Sequence, residues 1–550
     1  MERRISEFFT EETAQKAGFC TRDGDSDPLI TGLEYDSRKI KPGNLYFALP
    51  GLHTDGHLYI EDAIKRGAAA IVYEAQSSAA AGAIAGKKKA GAVYIGVNNS
   101  RFAMSPIAAA FYGFPSRRIT VAGVTGTEGK STTVYLIWQF LELLGKKAGL
   151  ISTVQYSTGS GIQWNSEHQT TPEATVVQRM LREMADNGCE YAVVESSSHG
   201  LSPKTNRLGD VLYRSAVITN LTHEHLEFHG TWEQYRDDKA NLFRALDIYA
   251  QQISSPAPFG VINLDDPSAH YFAKATKQKI VTFSTMGKKS DLSIRAIDSN
   301  SWGNWYNIFD AAENDEIIAR DKLPGAFNAG NVLAALLVVS GITGLKIGEI
   351  ARVIPRLKPL RGRMNAVDKG QPFEVLVDYA HTPSSFQAIF PPLRERLDKS
   401  GGKIISLFGS PGERDTKKRG EQGKIAAMYS DIIILADEDP RGEIPMDILE
   451  EIAGAFEGRK TCEIVSHGEI VSRCETNTAI NFRRIFEREK NLFLMPDRPA
   501  AVRKALSLAG PKDLVMLLGK GHENSIIYAD HVMDYDEIEE AEKALKELGY

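Results

Sequence analysis

A glycine-rich loop between a predicted strand and a predicted helix constrains the fold of this chain most strongly. The segment RRITVAGV ends at Val124 and is rich in β-branched residues, which is typical of a buried strand. The segment that begins at Lys130 carries apolar residues at helical spacing and stops at Gly145. Between them, GVTGTEGKSTT (123–133) predicts a turn whose backbone N–H groups and helix N-terminus form a concave anion site. We therefore expect the loop to bind a nucleotide triphosphate.

The loop departs from the standard phosphate-loop pattern. That pattern, G-x-x-x-x-G-K-[ST], requires glycine where this chain has Val124, and the nearby glycines are Gly123 and Gly126. Lys130 can still reach β- and γ-phosphate oxygens, and the Ser131 hydroxyl can ligate Mg²⁺. A plain turn with a surface lysine is the alternative, which the flanking strand and helix argue against. We expect ATP rather than GTP, because the chain has no Asn-Lys-x-Asp motif.

Length and charge exclude some classes of protein. A chain of 550 residues is too long for one core and predicts about three or four domains. With 65 Lys and Arg against 71 Asp and Glu, the net charge is −6, which argues against a general nucleic-acid coat. The four cysteines are scattered without a C-x-x-C pair, so they predict neither a disulfide framework nor a zinc site.

No targeting or membrane segment is visible. The N-terminal MERRISEFFTEET lacks the apolar core of a signal peptide. The most apolar helical run, 332–342, is far shorter than the roughly 20 residues that span a bilayer. We expect a cytoplasmic, monomeric protein with no membrane or nucleic-acid partner.

The patterns divide the chain into three α/β blocks. Residues 1–113 mix short strands and helices, and residues 114–355 alternate strands and helices around the glycine loop, which indicates a mostly parallel sheet. Residues 356–550 repeat that alternation without a G-x-G-x-x-G motif. The predicted fold is thus α/β with three domains: an N-terminal α/β domain, a central P-loop-type ATP-binding domain and a C-terminal Rossmann-like domain. The other predicted strands are 45–49, 68–74, 191–195, 215–221, 260–264, 373–379, 403–409, 431–438 and 513–521.

Two further stretches carry candidate metal ligands. Glu195 ends a buried-type strand, at the sheet edge where α/β proteins bind ligands, and a carboxylate near a phosphate loop suits Mg²⁺. The segment 219–243 contains three histidines: His223, His225 and His229. The last two have helical spacing, but Gly230 predicts a loop, so one histidine that assists Mg²⁺ is favoured over zinc. The serines at 196–198 lack a G-x-S-x-G turn, so no hydrolase triad is predicted.

The motifs, taken in order, resemble those of the Mur ligases, the ATP-dependent amide-forming enzymes of peptidoglycan synthesis. They are GTEGKSTT, VVESSSHGL, NLTHEHLEFHG, GAFNAGN, RGRMNAV, VDYAHTP and GSPGERDTKKR. Four more segments are similar to the members that add the third amino acid: YDSRKIKPGNLYFALPGLHTDGH (35–57), TTPEA (170–174), DEDPRGE (437–443) and GKGHE (519–523). The resemblance covers nearly the whole chain.

The resemblance implies the following site residues. Those for ATP are Gly126, Thr127, Glu128, Gly129, Lys130, Ser131, Thr132, Asn263, Asp266, Asn331 and Arg363, with Asn328 beside them. Those for UDP-MurNAc-L-Ala-D-Glu are Ser37, Thr170, Thr171, Ser197 and Arg207. Those for the incoming diamino acid are Arg419, Glu438, Asp439, Arg441, Gly519 and Glu523. The implied Mg²⁺ ligands are Ser131, Glu195, His225 and Lys239.

The resemblance also implies the chemistry. Lys130, His225 and Lys239 are the implied catalytic residues, with Lys239 carried as an N-carboxylated lysine. The D-glutamate carboxylate attacks the γ-phosphate of ATP, and an amine then attacks the acyl phosphate. Relatives have asparagine in place of Glu128, so we expect its carboxylate to point away from the phosphates or toward a cation.

Which amino acid is added stays open at this point. Arg441 lies in a D-N-P-R-like motif and favours meso-diaminopimelate, whereas Asp439 replaces the asparagine of that motif and favours lysine or ornithine. Another ligase of the superfamily, similar to folylpolyglutamate synthase, is an alternative that 35–57 and 519–523 argue against. A non-catalytic nucleotide-binding scaffold is a third, and it would be expected to lose residues such as Lys130.

Overall fold

The computed structural model describes residues 1–51, 54–84, 92–165, 169–222, 226–300, 302–455, 462–466, 469–474 and 491–550. The chain divides into two compact units. The first comprises Met1–Arg295, Asn307–Ile318 and Gly330–Ile354, and the second comprises Ala296–Tyr306, Ala319–Ala329 and Pro355–Tyr550. The α/β class is confirmed, while the predicted domain boundaries at 113 and 355 stay predictions. Among the described residues, no helix combines the length and apolarity that crossing a membrane requires.

The first sheet of the first unit has five strands. Its part of the chain contains β1 (Arg3–Arg4), α1 (Ile5–Phe8), α2 (Glu11–Lys16), β2 (Phe19–Asp23), β3 (Leu29–Ile30), β4 (Gly32–Glu34), β5 (Asn44–Phe47), α3 (Ile60–Lys65), β6 (Ala70–Glu74), α4 (Ser78–Ile84), β7 (Val93–Val97) and α5 (Ser100–Phe111). The strand order is β2-β7-β6-β5-β4, and only β2 runs antiparallel to its neighbour. Ser37 begins a short 3₁₀ turn, Ser37–Lys39, that follows β4.

The second sheet carries the glycine loop. The chain here forms β8 (Thr120–Thr125), α6 (Lys130–Leu143), β9 (Ala148–Ile151), β10 (Gln155–Ser157), β11 (Gln163–Trp164), α7 (Ala174–Asp186), β12 (Tyr191–Glu195), α8 (Ser198–Leu201), β13 (Ser215–Ile218), α9 (Leu226–His229), α10 (Trp232–Gln252), β14 (Phe259–Asn263), α11 (Ala269–Lys274), β15 (Lys279–Ser284), β16 (Leu292–Asn300), β17 (Gly303–Asp310), β18 (Asp315–Arg320), α12 (Phe327–Thr343) and α13 (Ile347–Ala351). The strand order is β11-β10-β9-β12-β8-β13-β14-β15-β16-β17-β18. Along this order each strand from β9 through β12, β8, β13, β14 and β15 is parallel to the next, as far as β16. The strands β12, β8, β13 and β14 therefore end at the same edge of the sheet.

The second unit repeats the α/β alternation. It contains β19 (Asn365–Ala366), β20 (Glu374–Asp378), α14 (Pro383–Ser400), β21 (Ile404–Phe408), α15 (Lys417–Tyr429), β22 (Ile432–Leu435), α16 (Pro445–Ala453), β23 (Cys462–Ser466), β24 (Glu469–Cys474), β25 (Asn491–Leu494), α17 (Arg498–Ser507), β26 (Leu514–Leu518), β27 (Ser525–Ile527), β28 (Val532–Asp534) and α18 (Glu537–Glu547). The strand order of its main sheet is β19-β20-β26-β21-β22-β25-β23-β24. Leu376 packs in one apolar cluster and its neighbours Val375 and Val377 pack in another, so both faces of this sheet are covered.

Candidate active site

The glycine loop joins the end of β8 to the first turn of α6, and its two glycines are required by close packing. Gly126 and Gly129 have φ of +148° and +80°. A Cβ atom on Gly126 would lie 1.9 Å from Thr219 Oγ1, and one on Gly129 would lie 2.6 Å from Asn331 Oδ1. A larger residue at either position would therefore displace the loop from its neighbours. This packing accounts for the glycine spacing that departs from the standard pattern.

Residues that follow β13 hold the middle of the loop. The backbone N–H of Thr127 donates to Asn220 O, and that of Glu128 donates to Asn220 Oδ1 at 2.9 Å. Thr219 Oγ1 donates to Glu128 O at 2.6 Å. These two N–H groups therefore shape the loop itself, whereas those that can face an anion at a helix N-terminus begin with the first turn of α6, at Lys130. The expected direction of the Glu128 carboxylate stays a prediction.

Ser131 and Glu195 meet beside the loop. The Ser131 hydroxyl donates to Glu195 Oε1 at 2.8 Å, and the backbone N–H of Thr153 donates to Glu195 Oε2 at 2.8 Å. Glu195 is only 1% exposed, at the end of β12, which pairs with β8. A hydroxyl and a carboxylate at one point are the oxygen donors that Mg²⁺ prefers, so these two residues fit that ion.

The other two implied metal ligands are His225 and Lys239. His225, like His223, lies outside the described residues. Lys239 is buried in α10, where its Nζ donates to Gly126 O at 2.6 Å and lies 4.5 Å from the centre of the Tyr235 ring. Within the described part of the chain, no three His, Cys, Asp or Glu side chains are grouped to hold a metal ion. Lys239 therefore reaches the loop as a donor, and its carboxylation stays a prediction.

The implied dipeptide-binding residues lie together. Thr171 Oγ1 is 2.9 Å from Ser197 Oγ, and Arg207 donates to Thr171 O at 2.8 Å. Sequence reasoning missed Glu173, a buried residue that accepts from Arg207 and from Arg101 at 3.0 Å each. The sequence signal that could have identified Glu173 was its position in TTPEA, the segment that contains Thr170 and Thr171. Ser37 and Thr170 are described, and their roles stay predictions.

Three residues implied for ATP contact the phosphate loop, the helix after it or the segment after β13. Asn263 donates to Thr219 O at 2.8 Å, and Asp266 accepts from the Leu221 N–H at 2.6 Å. Asn331 Oδ1 accepts from Thr133 Oγ1 at 3.1 Å. These three residues brace the phosphate loop and the segment after β13.

Asn328 and Arg363 belong to the second unit. Asn328 donates to Pro324 O at 2.7 Å. The Arg363 guanidinium carbon lies 4.7 Å from the centre of the Tyr379 ring. Their implied contacts with ATP, like that of Thr132, stay predictions.

A second cluster of implied site residues surrounds Lys520 in the second unit. This ammonium is buried and donates to Asp439 Oδ1 at 2.8 Å and to Glu523 Oε2 at 2.6 Å. Glu438 is also buried, and its Oε2 has no hydrogen-bond partner in the described part of the chain. A Cβ on Gly519 would lie 2.8 Å from that same oxygen. Burial raises the pKa of Glu438 above its ordinary value.

Arg441 borders this cluster. Its Nη2 is 4.0 Å from Asp439 Oδ2, and its backbone N–H donates to Ile527 O at 2.9 Å. Its φ of +54° places it in the left-handed region, which is uncommon for arginine. The residue that precedes Glu438 is buried too, and burial raises the pKa of Asp437 to about 7.

Arg419 differs from the other residues implied for the incoming amino acid. It is 2% exposed and donates to Glu451 at 2.5 Å, to Glu443 at 3.1 Å and to Pro411 O at 3.2 Å. The two terminal nitrogens of its guanidinium thus hold α15 to neighbouring segments. Arg414, in the same motif, is exposed. A contact of Arg419 with substrate stays a prediction.

The prediction of a loop around His229 is wrong. Leu226–His229 forms a short helix, and Gly230, with φ of +83°, follows its end. His229 Nδ1 is 2.7 Å from Asp238 Oδ2, and its Nε2 is 3.0 Å from Ser198 Oγ. A serine, a histidine and an aspartate are therefore joined where no such arrangement was expected. All three are buried, so a hydrolase substrate has no access to them.

Three family descriptions match successive parts of the chain. They are "Mur ligase family, catalytic domain" at residues 29–112, "Mur ligase middle domain" at 124–339 and "Mur ligase, glutamate ligase domain" at 362–521. The UDP-N-acetylmuramyl-tripeptide synthetase of Treponema denticola is 49% identical over 541 residues, 95% of each chain. A UDP-N-acetylmuramoyl-L-alanyl-D-glutamate–2,6-diaminopimelate ligase of Geobacillus kaustophilus is 35% identical, over 97% of this chain and 98% of that one.

Two solved structures share the fold. One is a UDP-N-acetylmuramoyl-L-alanyl-D-glutamate–2,6-diaminopimelate ligase, with a TM-score of 0.59 and 24% identity over 95% of this chain and 96% of that one. The other is the MurF ligase of Thermotoga maritima in complex with ADP, with a TM-score of 0.58 and 17% identity over 94% and 97%. At these identities the likeness concerns the fold alone.

Proposed function

Because the chain belongs to the Mur ligase family, whose members are ATP-dependent amide ligases, we propose that it joins a diamino acid to UDP-MurNAc-L-Ala-D-Glu. The names of the Treponema and Geobacillus relatives support the addition of the third residue of the peptidoglycan precursor. The observation that carries the proposal is the meeting of Ser131 with Glu195 beside a loop that Lys239 also reaches. That arrangement suits the activation of a carboxylate by phosphoryl transfer.

The first step is an in-line attack of the D-glutamate carboxylate on the γ-phosphate of ATP. Lys130 stands at the first residue of α6, where its ammonium can offset charge on the phosphate oxygens. Ser131 and Glu195 would hold a Mg²⁺ ion, which when bound offsets the remaining phosphate charge. Thr171, Ser197 and Arg207 orient the dipeptide end of the substrate.

The second step forms the amide bond. The amine of the incoming amino acid attacks the acyl phosphate, a tetrahedral intermediate forms, and phosphate leaves as the amine loses its proton. We assign the recognition of that amino acid to the cluster around Lys520. We assign carboxylated Lys239 to the ATP side of the reaction, where the added carboxylate would join Glu195 as an oxygen donor.

The same cluster supports lysine or ornithine, whose side chain ends in an ammonium alone, over meso-diaminopimelate, whose far end carries an ammonium and a carboxylate. Asp439 and Glu523 both accept from the buried Lys520 ammonium, and Asp439 already faces the Arg441 guanidinium. Glu438 adds a third acid, with Lys418 and Lys520 among its cationic neighbours. A second carboxylate on the substrate would be repelled by Glu438, Asp439 and Glu523. A substrate ammonium would instead supply the partner that Glu438 Oε2 lacks within the described residues, and an unpaired buried carboxylate oxygen is costly.

Separate incubations test the proposal. The protein is mixed with UDP-MurNAc-L-Ala-D-Glu, ATP and Mg²⁺, and L-lysine, L-ornithine and meso-diaminopimelate are offered one at a time while phosphate release and product mass are followed. We expect release and a tripeptide product with lysine or ornithine. No product with any of the three would refute the ligase proposal, and a preference for meso-diaminopimelate would refute only the assignment of the amino acid.

A further inference from the structure

Three buried side chains form a hydrogen-bond chain that the reaction described above does not use. His229 is 4% exposed, Ser198 is 1% exposed and Asp238 is fully buried. His229 Nε2 lies 3.0 Å from Ser198 Oγ and its Nδ1 lies 2.7 Å from Asp238 Oδ2. Gln234 completes the carboxylate's partners by donating to Asp238 Oδ1 at 2.9 Å. We refer to Ser198, His229 and Asp238 as the His229 bridge.

The two ends of the bridge adjoin different parts of the active site. Ser198 directly follows Ser197, whose hydroxyl is 2.9 Å from Thr171 Oγ1. Asp238 directly precedes Lys239, whose Nζ reaches Gly126 O of the phosphate loop. The bridge therefore ties α8, on the dipeptide side, to α10, on the ATP side.

The chemistry of the three groups makes the bridge directional. In the arrangement that satisfies all three groups with a neutral imidazole, His229 Nδ1 donates to the Asp238 carboxylate. The other ring nitrogen then accepts from the Ser198 hydroxyl. The ring also packs edge-on against Phe228 and Tyr235, with ring centres 4.7 and 5.2 Å away. Hydrogen bonds at both nitrogens and aromatic contacts on its sides leave the imidazole one orientation.

We propose that His229 is a positioning residue for the ligation reaction, which holds the dipeptide-binding segment at a fixed distance from Lys239. This inference rests on the proposed function. Asn241 of α10 also donates to Leu201 O of α8 at 3.1 Å, so loss of the bridge frees the Ser198 end of α8 and not the whole helix. A shift at that end weakens the hold on the dipeptide and misplaces its reacting carboxylate, which is costly even when the shift is small. The phosphate loop is held independently by Thr219 and Asn220, so ATP binding does not depend on the bridge.

Two variants that cut the same link from opposite ends test the proposal. His229→Asn retains a donor for Asp238 but cannot reach Ser198, and Ser198→Ala removes the other end of that hydrogen bond. We expect each to raise the KM for UDP-MurNAc-L-Ala-D-Glu about tenfold, with the KM for ATP changed less than about twofold. The double variant is expected to be no worse than either single variant, because both remove one interaction. Ser105→Ala is the matched control, since this buried hydroxyl instead accepts from the Asp210 N–H.

The outcomes are distinguishable from a failure of the proposed function. If the unaltered protein forms no tripeptide, the ligase proposal fails before the variants are compared. If it does, an unchanged KM in both single variants overturns the positioning role, and so do effects that multiply in the double variant. Thermal unfolding shows whether His229→Asn is folded, and Ser198→Ala alone decides the question if it is not.

Discussion

The carboxylate of Asp439 accepts a hydrogen bond from the buried ammonium of Lys520 at 2.8 Å. The same ammonium binds Glu523 at 2.6 Å, so Lys520 stays paired when Asp439 loses its charge. Asp439 is thus the position at which the charge of the proposed amino-acid site can be changed with the least damage to its structure.

We predict that Asp439→Asn shifts the choice of amino acid toward meso-diaminopimelate. Removing one negative charge frees Arg441 to pair with a second substrate carboxylate and weakens the hold on a substrate ammonium. The ratio of kcat/KM for ornithine or lysine to that for meso-diaminopimelate should fall about tenfold, which corresponds to about 1.4 kcal/mol. Asp534→Asn, an exposed aspartate of the same unit, is the control and should leave the ratio unchanged. If the ratio in Asp439→Asn equals that in Asp534→Asn, Asp439 does not contribute to the choice of amino acid.

The carboxylation of Lys239 predicts a chemical rescue. Lys239→Ala should be nearly inactive, because the variant lacks both the nitrogen that donates to Gly126 O and the carboxylate that we propose this nitrogen carries. A small acid such as formate or propionate should restore part of the activity by supplying a carboxylate in the vacated space. Lys130→Ala, which loses an ammonium and no carboxylate, should not respond to the acid. Rescue of both variants, or near-normal activity of Lys239→Ala without acid, would contradict the assignment.

The packing of Gly126 predicts a severe loss of ATP affinity on substitution. In Gly126→Ala the new Cβ would lie 1.9 Å from Thr219 Oγ1, so the loop must move. Gly145→Ala is the control, since that glycine also has positive φ but a Cβ atom added to it would meet nothing within 4 Å. We expect Gly145→Ala to lose about 1 kcal/mol of stability with normal ATP binding. Calorimetric titration with ATP distinguishes the two, and equal affinities would show that the glycine is not required for the site.

The buried Asp437 predicts a pH dependence of stability. Burial raises its pKa from the ordinary value of 3.8 to about 7, so between these values the folded state binds more protons than the unfolded state. Its contribution to stability is therefore full below about pH 4 and is lost as the pH rises through about 7. Asp437→Asn removes this titration, so its melting temperature relative to the unaltered protein should rise between pH 5 and pH 8.

Glu547→Gln provides the control for that experiment. The pKa of Glu547 is lowered by a hydrogen bond from Arg503, so it does not titrate between pH 5 and pH 8. Its substitution should change the melting temperature by the same amount at both values. If Asp437→Asn behaves in the same way as Glu547→Gln, the raised pKa of Asp437 is refuted.

The phosphate loop was predictable from the sequence because strand, loop and helix are contiguous. The reasons for its glycines were not, since Thr219 and Asn331 approach the loop from distant parts of the chain. The same holds for Glu173, whose two arginine partners come from separate segments. Local patterns predict an element, and contacts between distant segments decide how its residues are used.

The errors have local physical causes. Gly230 indicated a loop, but it follows the short helix Leu226–His229 with positive φ, which is a common way for a helix to end. The predicted strand 431–438 is too long, since β22 covers only Ile432–Leu435, and Asp437 and Glu438 are buried without belonging to it. Asp439, next to these acids, is also buried, and it pairs with Lys520. This pairing could not be predicted, because the periodicity of one segment says nothing about contacts with a residue far along the chain.

Isotope transfer shows whether this chain forms an amide bond through an acyl phosphate. UDP-MurNAc-L-Ala-D-Glu labelled with ¹⁸O in the carboxylates of D-glutamate is incubated with ATP, Mg²⁺ and the preferred amino acid. Mass spectrometry of the released phosphate should show one ¹⁸O atom for each tripeptide formed, because the attacking carboxylate oxygen leaves with the phosphoryl group. Tripeptide formation with unlabelled phosphate, or phosphate release without tripeptide, would contradict the account.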